Sequence, residues 1–193
     1  GDLTIGQQDY PSVVGADDVT VTSDQYAAID GWVYINCTGK VDIRSNEDVA
    51  VNGNLNIYDS SEVTLSAGNS VVTGSANITS DGDVTIESTD GRAAKNLTIN
   101  KAENVTITIS DAERAVSEET KITASGTVTL KNKAPGGRVG TVDFTQADGK
   151  KYVYYTSEAE NAKLIDPRIH PLPDTVESSY LRIEPRETYY SIT

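Results

Sequence analysis

The chain has 193 residues, enough for one domain or one domain with a tail, and 16 Lys+Arg against 29 Asp+Glu give a formal charge of −13. That field repels phosphate backbones and argues against a nucleic-acid partner; no apolar run reaches the ~18–20 residues that would insert in a membrane. One cysteine, Cys37, and one histidine, His170, exclude an internal disulfide framework, multi-cysteine metal sites and His-rich zinc sites.

Gly1 and the lack of any methionine read as the cut end of a fragment that has lost its targeting signal, which points to a secreted or cell-surface protein. Residues 1–16 hold Asp2-Leu3-Thr4-Ile5 and Tyr10-Pro11-Ser12-Val13-Val14 and are expected to cap the first turn of a repeat.

Residues 17–145 are that repeat. Val19-Thr20-Val21, Val41-Asp42-Ile43, Val63-Thr64-Leu65, Val84-Thr85-Ile86, Val105-Thr106-Ile107 and Val128-Thr129-Leu130 start 22, 22, 21, 21 and 23 residues apart. A second series keeps step: Val33-Tyr34-Ile35, Leu55-Asn56-Ile57, Ala76-Asn77-Ile78, Leu97-Thr98-Ile99, Thr120-Lys121-Ile122 and Val142-Asp143-Phe144. A third and weaker one runs through Ala27-Ala28-Ile29, Val49-Ala50-Val51, Val71-Val72-Thr73, Ala93-Ala94 and Ala115-Val116. Strand side chains alternate, so the outer residues of each triplet face inward and the middle one faces solvent. A strand this short cannot bury its apolar side alone; stacking turn on turn aligns like residues into columns and closes a core. Thr38-Gly39-Lys40, Asn52-Gly53-Asn54, Asp81-Gly82-Asp83, Asp90-Gly91 and Ser125-Gly126 mark the corners. The pattern predicts an all-β, single-stranded parallel β-helix (a β-solenoid) of about 22 residues per turn, with three faces, six to seven turns and terminal caps.

The spacing and columns of residues 17–145 resemble the right-handed parallel β-helix, the shape also used by pectate-lyase-like proteins, rather than the ~6-residue unit of left-handed hexapeptide solenoids. The resemblance carries no catalytic motif. Lyases of this shape hold calcium with clustered Asp and use a nearby base. Here the outward column reads Thr20, Asp42, Thr64, Thr85, Thr106, Thr129, with one carboxylate and no base beside it. Together with the absence of a Ser or Cys motif near His170, this gives a non-enzyme as the expectation.

Residues 146–193 form the C-terminal cap and a Tyr/Pro-rich tail or junction. Tyr152-Val153-Tyr154-Tyr155 is expected to begin another turn, its rings covering the last core layer. Tyr180-Leu181-Arg182-Ile183-Glu184-Pro185 alternates like an edge strand stopped by proline. This last segment resembles junction sequence in multidomain surface proteins of gut bacteria, which implies other domains of the same parent protein as partners.

Two outward clusters carry candidate chemistry. Trp32 and Tyr34 face solvent in one turn and Tyr58 in the next, a platform suited to the CH face of a sugar, with Asn36 and Asn56 placed to hydrogen-bond hydroxyls. Glu62 and Asp83 stack like charges on neighbouring turns, a repulsion that calcium would relieve or that solvent and Lys40 would screen. The expected function is a non-catalytic surface module that binds a polysaccharide or cell-surface glycan or is adhesive; a structural spacer is the alternative, and a calcium-dependent polysaccharide lyase or hydrolase the third.

Overall fold

The computed structural model describes residues 12–186. Val19–Ser23, Lys40–Ser45, Glu62–Ala67, Val84–Ser88, Val105–Ile109 and Val128–Asn132 stack into one parallel sheet. Ser12–Ala16, Val33–Cys37, Leu55–Ser60, Ser75–Ser80, Asn96–Lys101, Thr120–Ala124 and Gly140–Gln146 stack into a second. The sequence period is also the pairing register: Val41 lies opposite Val63, Val63 opposite Val84, and Val84 opposite Val105. The third face is as thin as its apolar series, with Ile29–Asp30 on Val51–Asn52 and single bridges at Val51–Val72, Ala94–Val116 and Arg114–Arg138. With no helix among the described residues, the architecture is a β-solenoid of about 6 turns at about 22-residue spacing.

The inward columns make the core. Ile35, Ile57, Ile78, Ile99 and Ile122 are all buried, as are Val33, Leu55, Ala76, Leu97 and Val142 beside them. Burying one such aliphatic side chain is worth about 1.5–3 kcal/mol, and each layer rests only on its neighbours. The alternation runs on past the triplets. Cys37 is buried at the end of its strand, and burial pushes its thiol pKa up. Ser45, Ser60, Ser80 and Ser88 are also buried, and each hydroxyl donates to a backbone carbonyl: Ser45 to Tyr26, Ser60 to Thr79, Ser80 to Ser60, Ser88 to Asn69.

The corners are tied by side chains reaching one turn along. Asp18 Oδ1 accepts the Lys40 N–H at 2.7 Å, Asp83 Oδ1 accepts the Asn104 side-chain amide at 2.9 Å, and Asn104 Oδ1 accepts the Thr127 N–H at 2.9 Å. On the next corner Asn52 donates to Asp30 at 2.8 Å and accepts from Thr73 at 3.2 Å. Gly39 shows why the Asp18–Lys40 corner needs glycine. A Cβ there would stand 2.0 Å from the Asp17 carbonyl oxygen and 2.2 Å from Asp18 Oδ1.

The two ends differ. Ser12–Ala16 is a rung of the second sheet, parallel to Val33–Cys37, whereas the remainder of the 1–16 cap lies outside the described residues. At the other end Tyr152–Tyr155 does not stack directly on the solenoid as a further turn. Tyr180–Pro185 lies between it and Val128–Asn132, antiparallel to both, so this tail segment is an interior strand rather than an edge. Thr175–Val176 likewise closes the second sheet against Gly140–Gln146. An open parallel edge exposes unpaired N–H and C=O groups; the returning tail satisfies them. Tyr152 packs edge-on against the half-buried Phe144, with ring centroids 5.1 Å apart, and the buried Tyr154 donates its hydroxyl to the His170 carbonyl at 3.0 Å. Arg182 lies 4.4 Å over the Tyr155 ring.

Candidate functional site

The outward face of the second sheet begins, in its first complete turns, with Trp32, Tyr34 and Asn36, followed one turn on by Asn54, Asn56 and Tyr58. Register places Tyr34 opposite Asn56 and Asn36 opposite Tyr58, so the two tyrosines are diagonal neighbours. Their rings meet with centroids 5.1 Å apart and planes inclined at 32°. Trp32 is 52% and Tyr34 37% exposed, so this corner presents two large aromatic surfaces to solvent. Tyr26 is exposed too, but lies on another corner, where its N–H is held by Ser23.

The polar surroundings are amides and hydroxyls. Tyr34 and Asn56 share an outward column with Asn77 and Thr98. Asn77 donates to Asn56 Oδ1 at 3.1 Å, which orients the Asn56 side chain and leaves its own two N–H donors toward solvent. Asn54 is drawn into the corner instead, its Oδ1 accepting the Ser75 N–H at 2.8 Å.

One residue of this cluster is not apparent from the period. Asp59 is exposed and has φ 60, the left-handed region that costs a non-glycine residue strain. It sits where pairing of Leu55–Ser60 with the next strand slips, so Tyr58 and Asp59 both face outward before Ser60 turns in. Asn36 donates to Asp59 Oδ2 at 3.4 Å, a long bond that links the two turns beside the tyrosines. The only sequence signal is an Asp in a strand just ahead of Ser60-Ser61, since Asp tolerates left-handed backbone better than most residues.

Glu62 and Asp83 do occupy adjacent turns, next to the paired Val63 and Val84. Each already has a partner of its own. Lys40 Nζ meets Glu62 at 2.7 Å, and Asp83 receives both the backbone and the side-chain N–H of Asn104. The Lys40 ammonium puts positive charge where a cation would bind, and calcium wants 6–8 oxygen ligands. Among the described residues, no three His, Cys, Asp or Glu side chains are grouped to hold a metal. His170 is exposed on the tail.

Comparison with protein-family models, with curated proteins and with solved structures finds no match. The fold assignment therefore rests on the repeat and its register.

Proposed function

We propose that the chain is a non-catalytic module of a secreted or cell-surface protein that binds carbohydrate through Trp32, Tyr34 and Tyr58, on a right-handed β-helix of the pectate-lyase-like shape. The observation that carries this reading is the tilted Tyr34–Tyr58 ring pair beside exposed Trp32, with Asn54, Asn56 and Asn77 around it and Asp59 as the nearby charge. Aromatic faces take the CH side of a pyranose, and neutral amides supply directional hydrogen bonds to hydroxyls without a charge to desolvate. Asn56 donates, Asp59 accepts, and Asn36 holds Asp59 in position.

The test is a glycan array probed with the wild-type chain, Tyr34→Ala, Tyr58→Ala and Trp32→Ala, with and without calcium. Binding to one sugar class that drops in all three variants supports the reading, and insensitivity to calcium fits the Lys40-occupied Glu62. Wild-type binding by every variant would move the site elsewhere. Failure to bind any glycan would favour the spacer, a reading supported by corner ladders and a folded-back tail that serve the scaffold alone.

A further inference from the structure

The corner that leads from the first sheet into the third face carries a charge pattern that the aromatic platform does not use. Arg92, Arg114 and Arg138 occupy the same position of three successive turns. The Arg114–Arg138 bridge pairs two of them directly, and Arg92 lies one turn before, two residues ahead of Ala94, which bridges Val116 just beyond Arg114. Strands one turn apart are about 4.8 Å apart, so three guanidinium-bearing positions are stacked along the axis of a protein of net charge −13. Most cations elsewhere on the solenoid are spent on carboxylates: Lys40 on Glu62, Arg44 on Asp42, Lys95 on Glu118, Lys121 on Glu119.

Here the partners are sparser. Arg92 donates through Nη1 to the Ser117 hydroxyl, and Arg138 pairs with Glu177 at 2.7 Å in an exposed contact, half or more of each side chain being in water. No carboxylate within 4.0 Å pairs with the Arg114 side chain among the described residues, and its stem passes over Gly140, whose missing Cβ would stand 3.4 Å from Arg114 Cδ. A hollow of about 380 Å³ opens at this corner, lined by Arg114, Arg138, Ser117, Gly136, Ala112 and Glu113. Like charges stacked at this spacing repel one another, and an anion bridging them would remove that cost while taking charge-assisted, bidentate bonds.

We propose that Arg114 and Arg138, with Arg92 orienting Ser117, form a site for a linear polysaccharide bearing carboxylate or sulfate groups. The stack offers one cation per turn along a line, which matches a chain with regularly repeated charges. Ala112, Gly136 and Ser117 give no apolar recess for the side chains of a peptide. Glu113 on the rim and the exposed Glu177 contact keep the site selective for a ligand with several charges, because a single anion gains too little to displace Glu177.

The experiment is calorimetric titration of the wild-type chain with dextran sulfate, with polygalacturonate and with uncharged dextran, at low and at moderate salt. Dextran sulfate or polygalacturonate is expected to bind and dextran not, with affinity falling as salt rises. Arg114→Gln is expected to weaken binding about tenfold or more, the loss of roughly one charge-assisted contact. Arg44→Gln removes the same charge from the first sheet and is expected to leave binding unchanged. Equal losses from Arg44→Gln and Arg114→Gln would reduce the effect to net charge and overturn the site. So would a lack of polyanion binding at low salt, or binding of polyglutamate in place of both polysaccharides.

Discussion

Thr120 supplies the sharpest test of the column logic. It stands in an inward column with Val33, Leu55, Ala76, Leu97 and Val142, and none of its surface is exposed. Its Oγ1 has no hydrogen-bond partner. An unpaired hydroxyl in an apolar site costs about 1–3 kcal/mol on scales taken from protein mutants, and Thr→Val removes it with almost no change of shape. Thr120→Val is therefore expected to stabilise the fold by about 1 kcal/mol or more, a rise of about 2–4 °C in Tm per kcal/mol for a domain of this size. The assay is guanidinium unfolding followed by far-UV circular dichroism, beside Thr98→Val on the outward face, where a change within about 0.5 kcal/mol is expected. An unchanged or lowered midpoint for Thr120→Val, at unchanged slope, would show that the hydroxyl is satisfied in solution and that the column is not dry.

Two further predictions concern a corner and the tail. The corner column Asp17, Gly39, Ser61, Gly82, Glu103, Gly126 alternates a side chain with none; Gly39→Ala, forced against the Asp17 carbonyl, is expected to lose about 1–3 kcal/mol. Ser61→Ala, one turn on, should change stability by less than about 0.5 kcal/mol, and equal effects in chemical denaturation would dismiss the close approach as the cause. In the tail, hydrogen bonds from Arg168, with Arg186 adding its charge at 2.9 Å, hold the Asp166 carboxyl well below the usual carboxylate range. A carboxyl depressed by folding stabilises the docked tail above its unfolded value near 3.9, and that contribution fades as pH falls through the folded value. An NMR titration should place the Asp166 midpoint well under its unfolded value, and Asp166→Asn should speed proteolysis between residues 156 and 174 at neutral pH; an ordinary midpoint would refute the clamp.

The solenoid was legible because its cause is local and repeated. Each turn must present an apolar residue at the same two inward positions, so Ile35, Ile57, Ile78, Ile99 and Ile122 announce a column before any pairing is known. The legibility stopped where a polar residue takes an inward place. Ser60 and Ser80 look like turn residues, yet they are buried because their hydroxyls satisfy carbonyls at the corner. The tail was legible only as strand-forming. That Tyr180–Pro185 slips between Val128–Asn132 and Tyr152–Tyr155 depends on a pairing about fifty residues distant, which no period encodes. Of the platform, Tyr34 and Tyr58 followed from the alternation, but Asp59 did not, because it exists through a slip in that alternation.

The same logic says where function is to be sought on such a scaffold. Inward positions are committed to columns, and many corner Asp and Asn residues are committed to the turn beside them, as Asp18, Asp83 and Asn104 show. What the fold leaves free is the outward face, where Thr or Asn suffices for a stable strand. Departures from that default carry information because stacking does not require them. Two tyrosines touching diagonally across adjacent columns, each paired with an Asn, are one departure, and three arginines on one corner of an acidic chain are another. Glu62 over Asp83 is the instructive contrast. It looked like a third, yet Lys40 and Asn104 absorb it, so a repeated charge becomes a candidate site only where the adjoining turns supply no partner.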